Sequence, residues 1–126
     1  MDKKFRRTHT CGELNKKEIG QEVVLNGWVH RRRDHGGLIF IDVRDRYGLT
    51  QVVFNPEKGK PLHEKAHELR SEFCVAIWGQ VAARPAGTEN PRMVTGEIEV
   101  VASQLEILNS SATPPFEINA EETELN

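Results

Sequence analysis

Cysteine is scarce: Cys11 and Cys74 are the only two in 126 residues, far apart and outside any Cys-x-x-Cys spacing. A disulfide framework and a thiolate zinc site are thereby excluded, and the pair reads as reduced thiols of a cytoplasmic protein, neither of them a nucleophile. Long apolar runs are missing too. Nothing approaches the ~20 apolar residues of a bilayer-spanning helix, and the basic start Met1–Arg7 is not followed by the apolar stretch of a signal peptide. The expectation is a chain neither secreted nor membrane-bound. There is no internal repeat, and the length suits one domain that can bury a core without metals or disulfides.

A large charge of one sign is also absent. The formal net charge is -2, which at first sight argues against a nucleic-acid partner. The charge is unevenly spread, however. Residues 1 to 46 carry 11 Lys/Arg against 7 Asp/Glu, and residues 47 to 126 carry 6 against 12. Part of that acidity sits at Glu117, Glu121, Glu122 and Glu124, so the body of the domain is more basic than the total implies.

Asn15-Lys16-Lys17-Glu18 has the form of a capping box, with Leu14 and Ile19 spaced as a hydrophobic staple and Gly20 as the stop, which predicts a one-turn helix. Val23 to His30 alternates as a first strand and runs into Arg31-Arg32-Arg33. Leu38 to Arg44 is a second strand, Asp45-Arg46-Tyr47-Gly48 a turn, and Leu49 to Phe54 a third strand. Pro61 to Arg70, with Leu62, Ala66 and Leu69 on one face, reads as a short amphipathic helix. Phe73 to Ala83 and Gly96 to Leu108 complete the strands, separated by the Pro/Gly-rich loop from Arg84 to Thr95. The fold class is all-β with one short helix, in the order βββαββ, and that order belongs to the five-stranded OB-fold barrel.

Phe40 is the informative residue. Period-two alternation puts Ile39, Ile41 and Val43 on the core side and Phe40, Asp42 and Arg44 on the other. A ring beside charged neighbours offers a platform for a base and cations for phosphates, as single-stranded nucleic acid requires. The competing reading packs Phe40 under a loop or beside Trp28. OB barrels bind oligonucleotides across strands two and three, where Phe40 and Gln51 both fall with parity opposite to the core set, and this second line favours the binding face.

The block Gly27-Trp28-Val29-His30-Arg31-Arg32-Arg33-Asp34-His35-Gly36-Gly37-Leu38-Ile39-Phe40-Ile41-Asp42-Val43-Arg44-Asp45, followed by Gly48-Leu49-Thr50-Gln51-Val52-Val53, closely resembles the N-terminal anticodon-binding domain of bacterial-type aspartyl-tRNA synthetases. The resemblance extends to Leu69–Val75 and Thr95–Val100 and covers nearly the whole chain. It implies an anticodon-binding barrel over residues 1–109 and a linker over 110–126, around Ser110-Ser111-Ala112-Thr113-Pro114-Pro115, towards a catalytic domain that is not in the chain. The parent enzyme would be a homodimeric class II ligase joining aspartate to tRNA with ATP and Mg2+; this segment would carry no catalytic residue, cofactor or metal.

The resemblance further implies that Phe40 stacks on the middle anticodon base, a uracil, while Gln51 reads that base's edge. Glu99 would face the first anticodon base. Arg33, in the loop after strand one, and Arg84 and Asn90, in the loop after strand four, would lie near the anticodon and its third base. Arg31 and Arg32 are expected on phosphates. For each polar residue the plain alternative is a solvated surface or turn residue. The family's discriminating branch has leucine where this chain has His35 and lysine where it has Gly87, which points to the branch serving both tRNA(Asp) and tRNA(Asn). A generic single-strand-binding OB protein is the rival reading. His63-Glu64-Lys65-Ala66-His67 matches the H-E-x-x-H zinc motif on a helix, but no third-ligand spacing follows, and a helix that plugs a barrel end lines no cleft.

Overall fold

The computed structural model describes residues 7–109. Five strands, β1 (Glu22–His35), β2 (Leu38–Asp45), β3 (Gly48–Phe54), β4 (Cys74–Ala83) and β5 (Ile98–Asn109), close into a barrel of order β1-β2-β3-β5-β4. The β3–β5 pairing is parallel and the others antiparallel. One helix, α1 (Lys60–Ala66), lies between β3 and β4. This is the expected OB-fold architecture, and closure leaves no long unpaired edge among the described strands. The core inside it includes Leu25, Val29, Ile41, Val52, Phe54, Ile77, Ile98 and Leu105. The segment from 110 to 126, with the expected linker and acidic tail, lies outside the described residues. Among those described, no helix is long and apolar enough to cross a membrane.

The capping box forms on a 3-10 turn, Lys16–Glu18. Asn15 accepts from the Lys17 amide, and Glu18 accepts from the Asn15 amide. Leu14, though, turns fully into the core rather than stapling Ile19, which stays 43% exposed. Nearby, Asp45 is 2% exposed and its carboxylate accepts from the amides of Cys11, Tyr47 and Gly48, tying the N-terminal segment to the β2–β3 turn. A side chain at Gly12 would meet the Tyr47 carbonyl, so only glycine allows this approach.

Two boundaries differ from expectation. Strand β1 does not end before the arginines; it runs on through them to His35 and pairs with β2 as far as His35↔Leu38. Gly36 and Gly37, both at positive φ (60° and 84°), make the two-residue turn that lets the pairing continue to its end. Helix α1 stops at Ala66 rather than Arg70, because i→i−3 bonds from His67, Glu68 and Leu69 tighten the chain and turn Leu69 into the core.

Candidate nucleic-acid interface

A β-bulge decides which arginines reach the outer face. The register passes from Val29↔Val43 directly to Arg31↔Asp42, so His30 is the extra residue and the parity of β1 inverts. Without it Arg31 and Arg33 would follow Val29 inward. With it they stand opposite Asp42 and Phe40 on the outer face, while Arg32, opposite Ile41, goes to the other side.

The three arginines therefore do different things, which corrects two expectations. Arg33 is a strand residue, not a loop residue. Arg32 is not disposed for phosphates: it holds Asp34 through two bonds of 2.8 and 2.9 Å and donates to the His67 and Leu69 carbonyls at 2.9 and 3.0 Å, closing the turn after α1. Those bonds raise the Arg32 pKa and lower that of Asp34. Arg31 is exposed, and among the described residues its side chain makes no hydrogen bond or ion pair.

Phe40 is half-buried and stands outside the core cluster, between Arg33 on β1 and Val53 on β3. The Arg33 guanidinium carbon lies 5.7 Å from the ring centroid, a cation-π distance. Its Nη2 donates to Asp42 Oδ1 and to Gln51 Oε1, each at 3.0 Å, and Gln51 Nε2 donates to Glu99 Oε1 at 3.0 Å. Buried Nε of Arg33 has no partner among the described residues.

This chain of bonds settles which way the Gln51 amide points. A guanidinium only donates and an ionised carboxylate only accepts, so oxygen must face Arg33 and nitrogen must face Glu99. One lone pair and one N–H then remain, in an order fixed by the two bonds. Such an edge complements a base presenting an N–H beside a carbonyl, as uracil does. Asp42, which sequence reading had not placed among the site residues, anchors the arrangement through Arg33; its position two residues after Phe40 on the same face was the available signal.

The floor of the network is buried. Gln51, Arg84 and Glu99 are 6%, 7% and 9% exposed. Burial raises the Glu99 pKa, opposed by the Gln51 hydrogen bond and the Arg84 charge. Arg84, lowered by burial, donates to the Ile98 carbonyl at 2.9 Å and so braces the start of β5. Together these residues line a cleft of about 660 Å³ that also includes His35, Leu38, Lys58 and Thr88. A cleft of that volume has room for a nucleic-acid base.

Two expected residues lie apart. The Asn90 side-chain oxygen accepts the Arg92 amide at 3.0 Å, an Asx turn, and Asn90 does not line the cleft. That bond shapes the 84–95 loop, in which Asn90 was expected near the third base. Gly87 sits exposed in that loop at φ +89, also off the cleft wall, with open space where a Cβ would go. The limit at Gly87 is thus backbone conformation rather than room. In the H-E-x-x-H segment, His63 Nε2 lies 2.8 Å from the Gly37 carbonyl oxygen and holds α1 against the β1–β2 turn.

Comparison with known proteins gives a consistent picture. Residues 23–108 match the family model described as the OB-fold nucleic acid binding domain of the tRNA anticodon type. The aspartate–tRNA(Asp/Asn) ligase of Desulfosudis oleivorans is 58% identical over 112 residues, covering 89% of this chain and 19% of that protein. The asparaginyl-tRNA synthetase of Pyrococcus horikoshii superposes with a TM-score of 0.71 at 29% identity, over 94% of this chain and 26% of that one. A lysozyme-bound OBody, AM2EP06, superposes with a TM-score of 0.72 at 28% identity, covering 84% of this chain and 96% of that one. The barrel alone thus makes up nearly all of the OBody chain, whereas this chain spans about a fifth of the length of the curated ligases it matches.

Proposed function

This chain belongs to the OB-fold tRNA anticodon-binding domains, and from that premise we propose that it is the anticodon-reading part of an aspartate–tRNA ligase serving both tRNA(Asp) and tRNA(Asn). The observation that carries the reading is the Gln51 amide, fixed between Arg33 and Glu99 beside the Phe40 ring. A base stacked on Phe40 gains ~1–3 kcal/mol whatever its identity, so stacking alone selects nothing. Selection comes from the amide, whose remaining acceptor and donor meet the N–H and carbonyl of a uracil in one order only. Glu99 keeps its second oxygen for a donor on the neighbouring base. Arg31 and Arg33 supply cations along the strand.

The longer enzyme would activate aspartate with ATP and Mg2+ and work in the cytoplasm as a homodimer. That chemistry is assigned to the remainder of the longer enzyme, since this chain spans about a fifth of the length of the curated ligases it matches. Dual tRNA use is supported by His35 on the cleft wall, by Gly87 in place of a long cation, and by the names of the relatives. Binding of the chain to anticodon stem-loops of the aspartate, asparagine and lysine tRNAs at stated salt tests the proposal. The first two are expected to bind within about 1 kcal/mol of each other. Changing the middle uracil to cytosine should weaken both; equal binding of the uracil and cytosine loops, or of unrelated single strands, would instead assign a generic single-strand binder.

A further inference from the structure

The outer face that carries Phe40 does not end at the cleft. Along β2 and β3 the register steps from Phe40↔Val53 to Asp42↔Gln51 and then to Arg44↔Leu49, beyond which the Asp45–Gly48 turn presents Arg46 and Tyr47. Arg44 is four residues from Phe40, or about 13 Å at ~3.3 Å per residue. Arg44, Arg46, Tyr47, Leu49 and Val94 line a separate hollow of about 390 Å³.

Its composition is distinctive. Tyr47 and Val94 are 48% and 77% exposed, two of the three exposed large apolar side chains among the described residues. Two guanidinium carbons lie within cation-π distance of the Tyr47 ring, Arg7 at 5.4 Å and Arg46 at 5.6 Å from its centroid. The ring thus gathers two guanidinium cations, the groups best suited to pair with phosphate, at one corner of the face. Arg44 stands exposed with no side-chain hydrogen bond or ion pair among the described residues. The one acid in the turn, Asp45, faces inward and is occupied by three amides, so it stiffens the turn that displays the arginines.

We propose that Arg44, Arg46 and Arg7, gathered around Tyr47, form a second contact surface for the sugar–phosphate backbone of the RNA whose anticodon occupies the cleft. The inference rests on the anticodon reading for the identity of that RNA. Continuity of the face and the density of arginine favour RNA over a protein surface as occupant, and OB barrels engage ~4–16 nucleotides, more than three anticodon bases. The loop flanking the anticodon is the part of the ligand that would reach this far.

The test compares the wild-type chain with Arg44→Gln, Arg46→Gln and the double variant. Each is titrated over a range of salt with an anticodon stem-loop and with a trinucleotide of the anticodon alone, and folding is checked by thermal melting. The double variant should bind the stem-loop more weakly, with the slope of log K against log salt flattened by about 0.7 per lost contact. Trinucleotide binding and the preference for a central uracil should be unchanged. A double variant that melts like wild type and keeps its stem-loop affinity and slope would overturn the proposal and leave the patch to a protein partner. Loss of trinucleotide binding in the double variant would also overturn it, since these side chains would then act through the cleft. Should the wild type show no uracil preference, the anticodon reading fails separately, and the slope still decides whether these arginines touch RNA.

Discussion

Replacing Glu99 by glutamine changes one charge and almost no volume at the base of the reading network. In the wild type the Gln51 amide is held at both ends, by Arg33 on its oxygen and Glu99 on its nitrogen. A hydrogen bond to a charged group contributes ~1.5–3 kcal/mol and a neutral one ~0.5–1.5. Glu99→Gln therefore weakens the orientation of the amide by about 1 kcal/mol while Arg33 still holds the other end. Preference for a central uracil over cytosine should fall about fivefold. Stability should move the other way, because burial raises the Glu99 pKa above 4.5 and the carboxylate is strained when ionised. With the folded value above the unfolded one, the native state holds the extra proton in between. That contribution to stability is full below pH 4.5 and is lost as pH rises through the raised value. The variant lacks this slope and should be at least as stable as wild type at pH 7. The wild type itself should lose uracil selectivity as acid protonates Glu99. Stem-loop titrations with uracil or cytosine at the middle position, run beside denaturant melts at several pH values, measure both effects. An unchanged uracil-to-cytosine ratio, or a loss of selectivity that merely tracks a loss of stability, would refute the fixed-amide reading.

Phe40→Ala should weaken stem-loop binding by about 1–3 kcal/mol with cytosine and uracil loops affected alike, and should cost less stability than the ~3–5 kcal/mol typical of a core phenylalanine; a melt that drops as for a core residue counts against the platform. Arg31→Gln should flatten the salt slope of stem-loop binding by about 0.7, while Arg32→Gln should leave the slope alone and lower thermal stability by unfastening Asp34 and the turn after α1. Equal slopes for those two variants would contradict the bulge-based division of the triplet. Gly87→Lys should cost about 1–2 kcal/mol of stability from its left-handed backbone, with Gly87→Asn costing less. Combined with His35→Leu, it should tilt binding toward the aspartate stem-loop; wild-type rejection of the asparagine stem-loop by more than about tenfold would show that dual use was misassigned.

How much was legible in the residues follows from the range of the interactions. Alternation of Ile39, Ile41 and Val43 against Phe40 and Asp42 is local, and it placed the core side of β2 and the ring outside it. The capping box is equally local, and it formed as written. The order of strands and helix was enough for the barrel, since few closed arrangements accept βββαββ. Tertiary structure decided the rest. The bulge at His30 has no signature in its own residues; it lies just past the point where β1 leaves its pairing with β4 (Glu22–Trp28) and continues along β2, and it sends Arg33 to the ring and Arg32 to the carbonyls after α1. The direction of the Gln51 amide likewise depends on Glu99, 48 residues away, and on Arg33, 18 residues away. A sequence states which groups are present and which side of a strand each takes while the pairing stays regular, whereas their partners are fixed only when the barrel closes and distant donors and acceptors must be satisfied together.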